Sequence, residues 1–209
     1  MDDAEVKIKN VCVFCGSSPG SKPDYLRAAE ELGKEIAFRK MSLSYGGASV
    51  GLMGMVARTV LEAGGRVVGV IPESLKDQEI AQEGLLEMYI VSSMHERKAK
   101  MAEFSDAFIA LPGGFGTFEE FFEMITWAQL GIHDKPCGLL NISGYYDKLL
   151  SFLDDAVTEG FIYGLHRDMI LTADKPSQLI EKLQSYKPVR HNKIQWVRHM
   201  ENGDMDKRK

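Results

Sequence analysis

The residues best equipped for chemistry in this 209-residue chain lie in Pro112-Gly113-Gly114-Phe115-Gly116-Thr117-Phe118-Glu119-Glu120. Gly113, Gly114 and Gly116 keep side chains out of a turn, so that an anion can approach the backbone, and they tolerate positive φ. Where such a turn opens a helix, unpaired backbone N–H groups and the positive end of the helix dipole face that anion. Thr117 is placed to cap the helix, with Glu120 three residues on completing a capping box. Two carboxylates would repel a bound phosphate if both faced it. Glu119 and Glu120 therefore suggest a division of labour, in which the glycine amides hold phosphate and at least one carboxylate addresses another part of the same ligand. The plainer alternative is that both glutamates merely favour the helix start.

The elements around this stretch follow from hydrophobic periodicity. An apolar run at 107–111 ends at Pro112 and predicts a buried parallel strand, and a helical pattern follows as far as Leu130. A strand at 11–14 leads into Gly16, Ser17 and Ser18, which sit at its carboxyl end, where open α/β sheets bind ligands. A long helical pattern then runs to Arg39. A second glycine-rich junction, containing Gly46 and Gly47, joins a strand at 42–45 to a helix reaching Ala63. It has neither a Walker lysine nor the dinucleotide fingerprint, so it either shapes a nucleoside pocket or permits close helix–sheet packing. Further strands are predicted at 67–71, 88–91, 138–142 and 169–172, and helices at 94–101, 146–159 and 176–183. Arg97, Lys98 and Lys100 cluster on the first of these helices, and on pattern alone such a run is a solvated face. Glu79 lies on a polar loop.

Strands alternating with helices predict one doubly wound, Rossmann-like α/β domain with a parallel sheet covered on both faces. It spans 11–186, between an N-terminal extension at 1–10 and a C-terminal tail at 187–209. A net charge of -5 argues against general nucleic-acid binding. No apolar run approaches the roughly 18 residues of a membrane span, and the acidic start lacks signal-peptide form. A cytoplasmic protein is expected. Cys12 and Cys15 have redox-motif spacing but fall within a strand, on opposite faces, and read as core thiols. Cys137 has no companions for a metal site.

The segment 112–120 resembles the PGGxGTxxE signature of the LONELY GUY (LOG) family of cytokinin riboside 5'-monophosphate phosphoribohydrolases, long mislabelled as lysine decarboxylases. The resemblance extends to Cys15-Gly16-Ser17-Ser18, Ser44-Tyr45-Gly46-Gly47, Met94-His95-Glu96-Arg97-Lys98 and Ile125-Thr126-Trp127-Ala128-Gln129-Leu130-Gly131. It implies hydrolysis of the N-glycosidic bond of an N6-modified adenosine 5'-monophosphate, with Arg97 and Glu120 in the catalytic places. It also implies that Glu79, Lys98, Gly113, Gly114, Gly116, Thr117, Glu119 and Thr126 surround the substrate, joined by Gly16, Ser17, Gly46 and Gly47 at the strand ends. Turnover with no metal or organic cofactor is expected. So is a homodimer, because the helix after the signature carries Phe121, Phe122, Met124, Ile125, Trp127 and Leu130, more apolar surface than one sheet face requires. The alternatives are a non-catalytic nucleotide or cofactor carrier with a related glycine loop and, more weakly, a pyridoxal-dependent lysine decarboxylase.

Overall fold

Runs such as Val11-Cys12-Val13-Phe14 and Ala107-Phe108-Ile109-Ala110 offer water no polar face, which suits strands covered on both sides. The computed structural model, which describes residues 7–75 and 87–188, places them in one seven-stranded parallel sheet. Its strands are β1 (Asn10–Phe14), β2 (Ser42–Tyr45), β3 (Val67–Pro72), β4 (Glu87–Val91), β5 (Ala107–Ala110), β6 (Cys137–Leu140) and β7 (Ile170–Ala173). Their spatial order is β4-β3-β2-β1-β5-β6-β7. The helices are α1 (Pro23–Phe38), α2 (Gly51–Glu62), α3 (Met94–Phe104), α4 (Phe115–Gln129), α5 (Asp147–Thr158), the short α6 (Gly164–Arg167) and α7 (Pro176–Gln184).

Alternation along the strands divides the core into two layers. Val11, Val13, Leu43 and Ile109 pack with residues of α1, α2 and α7 on one face. Cys12, Phe14, Phe108 and Ala110 pack with α3, α4 and α5 on the other. The expected doubly wound architecture is the one found. Cys12 and Cys15 fall in opposite layers, and they and Cys137 are buried free thiols. Burial, and for Cys12 and Cys15 the nearby Glu120 carboxylate, push these thiols well above their ordinary range.

Two boundaries differ instructively from expectation. Pro72 does not stop β3 but forms its last position, opposite Val91, where a missing N–H ends the ladder. Ile142 leaves the predicted strand for a 3-10 turn, because Ser143 and Gly144 both adopt positive φ and turn the chain at the sheet's edge. Among the described residues no helix is long and apolar enough to cross a membrane.

The sheet reverses its winding between β1 and β5, which pair side by side. Helices leaving these two strands diverge to opposite faces, opening a crevice at their carboxyl ends. Gly16 and Pro112-Gly113 sit in that crevice, and Gly16 N–H donates to Pro112 O at 3.1 Å.

Candidate active site

α4 begins at once after the glycine pair. Gly114, extended at φ -102 and ψ -155, is its N-cap, and no side chain caps it. The expected capping box at Thr117 and Glu120 is therefore absent: the helix starts one turn earlier, so Thr117 lies inside its first turn and is buried. Thr117 instead packs on the glycine turn, its Oγ1 standing 2.0 Å from where a Cβ on Gly113 would be. A side chain at 113 would also stand 2.9 Å from Gly16 N, so only glycine lets the turn and β1's end approach this closely. Added Cβ atoms at Gly114 and Gly116 would meet nothing within 4 Å. The turn thus presents an uncovered backbone and the unsatisfied first amides of a 15-residue helix.

Glu120, on the inward face of the second turn of α4, is 8 % exposed, and Arg97 of α3 is 4 % exposed. Arg97 Nη2 lies 3.9 Å from Glu120 Oε1 and 3.4 Å from Gly46 O. Two buried charges are costly unless they face each other, and this pair does. Gly46 makes the arrangement possible, since a Cβ there would stand 1.9 Å from Arg97 Nη2. Close packing, one of the two roles open to the second glycine junction, is what its glycines provide. Gly46 backs the guanidinium, whereas Gly51, at φ +58, lets the start of α2 pass against Ser17's backbone.

Arg97 and Lys98 do not form the solvated face that their run suggested. Both are buried, while Lys100 is half-buried and pairs with Glu103 at 3.1 Å. Lys98 Nζ is held by Glu119 and, at 3.0 Å, by Glu123. Burial pulls the Lys98 ammonium down, but the hydrogen bonds it donates to the two carboxylates outweigh it and leave its pKa raised. Glu119 thus shares an ion pair with Lys98 on the exposed side of α4, while Glu120 turns inward. That is the separation of the two carboxylates that a phosphate site beside them demands.

The remaining sequence-predicted residues divide. Gly16 reaches the crevice, but its N–H and C=O are taken by Pro112 O and Leu52 N, so its backbone braces three loops together. Ser17 is exposed beside it, and Gly47 lines the packing of Ile71 and Met88. Thr126 is exposed, its hydroxyl donating to Phe122 O at 2.7 Å. Six residues beyond Glu120, it lies about 9 Å further along α4 and about 240° around it, away from the crevice. Glu79 lies outside the described residues. Two participants were missed. Glu123 could have been found four residues after Glu119 on one helix face. Tyr145, whose hydroxyl donates to Gly113 O at 2.5 Å, carries no local signal.

Known proteins resemble this chain closely. Residues 53–183 match the family model described as possible lysine decarboxylase. The cytokinin riboside 5'-monophosphate phosphoribohydrolase LOG1 of Arabidopsis thaliana is 55% identical over 92% of this chain and 90% of its own. The probable cytokinin riboside 5'-monophosphate phosphoribohydrolase LOGL2 of Oryza sativa subsp. japonica is 57% identical over 90% of this chain and 77% of its own. Among solved structures, the molybdenum cofactor binding protein of Rippkaea orientalis is 23% identical, with a TM-score of 0.65 over 86% of this chain and 97% of its own. The likeness to that protein is one of fold. Sequence identity above half, across some nine-tenths of the chain, shows that it belongs to the LONELY GUY family of cytokinin riboside 5'-monophosphate phosphoribohydrolases.

Proposed function

We propose that this protein hydrolyses the N-glycosidic bond of cytokinin riboside 5'-monophosphates, releasing the free-base cytokinin and ribose 5-phosphate. The observation that carries the reading is the buried Arg97–Glu120 pair standing beside an uncovered helix N-terminus. The amides of Gly114, Phe115 and Gly116 bind the 5'-phosphate, helped by the α4 dipole. Cleavage passes through a ribosyl cation-like transition state, and the Glu120 carboxylate stabilises the charge developing on the sugar or orients the attacking water. Arg97, anchored on Gly46 O, holds that carboxylate in place. Lys98 pairs with both Glu119 and Glu123 and offsets one of their two charges, which weakens their opposition to the phosphate.

A carrier protein would need the glycine turn but not a buried cation paired with a carboxylate. A pyridoxal enzyme needs a lysine that readily loses its proton. Lys98 is the reverse, since its carboxylate partners hold the proton on. Lys135, whose pKa burial does lower, sits before β6 at the sheet's other end, its Nζ donating to Ala102 O at 2.7 Å. Neither supports decarboxylation.

The protein acts as a homodimer in this reading. Leu130 and Ile132 at the end of α4 and Phe152 of α5 are 55%, 63% and 66% exposed on the same side of the sheet. Thr126, on this outer part of α4, joins a substrate site only if a second copy lies against it.

Incubation with a panel of nucleoside 5'-monophosphates, followed by chromatography of the free base, tests the assignment. One N6-modified ribotide and its matching riboside should differ in kcat/KM by well over a hundredfold, the loss of several charge-assisted hydrogen bonds of roughly 1.5–3 kcal/mol each. Agreement within about tenfold, roughly 1.4 kcal/mol, would overturn the phosphate cradle. Tight binding without release of base would favour a carrier.

A further inference from the structure

Tyr145 and Tyr146 follow β6 on the turn formed by Ser143 and Gly144. The Tyr146 hydroxyl, buried, donates to Leu111 O at 2.6 Å, and that of Tyr145, 39 % exposed, donates to Gly113 O at 2.5 Å. Between them, Pro112 O accepts from Gly16 N–H. Three successive carbonyls of the glycine turn are thus held from outside it. The peptide bonds here are trans, so each C=O and the N–H that follows it point in opposite directions. Fixing Gly113 O toward Tyr145 therefore aims Gly114 N–H the other way, from an exposed residue on which an added Cβ would meet nothing within 4 Å. Glycines are the residues least able to hold their own dihedrals, and a Gly113-Gly114 peptide left to itself would sample both orientations. The Tyr145 ring is itself fixed edge-on against Tyr25 and Tyr146, with centroids 5.8 and 5.0 Å away.

We propose that Tyr145 is a positioning residue for the substrate phosphate: its hydroxyl sets the Gly113-Gly114 peptide so that the Gly114 amide donates into the anion site. This inference rests on the phosphate reading of the turn proposed above. Tyr145→Phe keeps the ring contacts and removes only the hydroxyl. The test compares the two proteins, labelled with 15N-glycine, in titrations with inorganic phosphate and with ribose 5-phosphate, alongside thermal melts. In the wild type both probes should shift the Gly114 amide. In Tyr145→Phe the Gly114 amide should move in the free protein, and both probes should bind about tenfold more weakly, the usual scale for one hydrogen bond to a charged ligand's cradle. The melting temperature should stay close to wild type. Kinetically, KM for the ribotide should rise more than kcat falls, and the activity on the ribotide should fall by a larger factor than that on the riboside. Equal probe binding by both proteins would overturn the role of Tyr145 and leave the phosphate site standing, as would ribotide and riboside activities falling in proportion. Wild-type protein that binds neither probe at the turn would overturn the phosphate reading itself.

Discussion

Glu120 and Glu119 are chemically identical neighbours that the fold sends in opposite directions. Glu119 leans out to Lys98, and Glu120 turns in to Arg97. Chemistry that needs an anion beside a developing cation falls to the inward one, which water screens least. Glu120→Gln keeps the shape and loses the charge, so kcat should fall by about two orders of magnitude or more while KM stays within a few-fold. Steady-state kinetics on the ribotide measures this, and a near-normal kcat would shift the role to Glu119. Gly46 offers a second, less obvious test. A methyl group there would occupy the place of Arg97 Nη2, the far end of a flexible side chain rather than a wall of backbone. Gly46→Ala should therefore fold, with Arg97 displaced and kcat reduced roughly tenfold or more by misplacement alone. Circular dichroism and kinetics together check it. Unchanged turnover would mean that the guanidinium need not sit on Gly46 O.

Arg97 and Lys98 can act only if α3 begins where it does. The Ser93 side chain accepts from Glu96 N at 3.2 Å, while Glu96 Oε2 accepts from Ser92 N at 2.8 Å and Ser92 Oγ at 2.6 Å. Hydrogen bonds from the Ser92 hydroxyl and backbone hold the Glu96 carboxyl below its ordinary range. This cap fixes the phase of the helix, and with it the face on which Arg97 and Lys98 project. Ser93→Ala should cost about 1 kcal/mol of stability in denaturant titrations. It should also lower kcat several-fold, because a frayed first turn lets Arg97 drift. Loss of stability with kcat intact would assign the cap to folding alone. α4 shows the converse arrangement. Its N-terminus has no side-chain cap, so its first amides remain available to a ligand.

At the scale of the whole molecule, the site is a product of topology. Gly16 follows β1, Gly46 follows β2, Gly113 follows β5 and Tyr145 follows β6, and a parallel sheet brings all these strand ends to one edge. Among the described residues, Leu130, Ile132 and Phe152 stand exposed on the α4 and α5 side of the same sheet. Of the six apolar residues that suggested a dimer, Phe121, Met124 and Ile125 are absorbed by the core, Phe122 and Trp127 are half-buried, and Leu130, the C-cap of α4, is exposed. Light scattering at micromolar concentration should give the mass of a dimer, and Leu130→Asp should weaken it together with activity. A fully active monomer would refute the composite site.

By itself the sequence determined the doubly wound sheet and the signature turn. Both are written in local pattern: short apolar runs without alternation, periodic helices between them, and three glycines where one strand meets its helix. The inference that Glu119 and Glu120 cannot both face a phosphate was also local, because it needed only their charge and adjacency. Tertiary structure decided which carboxylate turned inward. It buried Arg97 and Lys98, whose run in sequence looked solvated, because α3 packs its first turns against the strand ends and carboxylates of α4 meet them there. It moved the N-cap of α4 from Thr117 back to Gly114, next to the point where Gly113 stands close against Gly16. It also brought in Tyr145, 32 positions from the carbonyl it holds. Hydrophobic periodicity reports which side of an element is buried, but not which distant side chain will arrive there, and that depends on the order in which the strands are laid side by side.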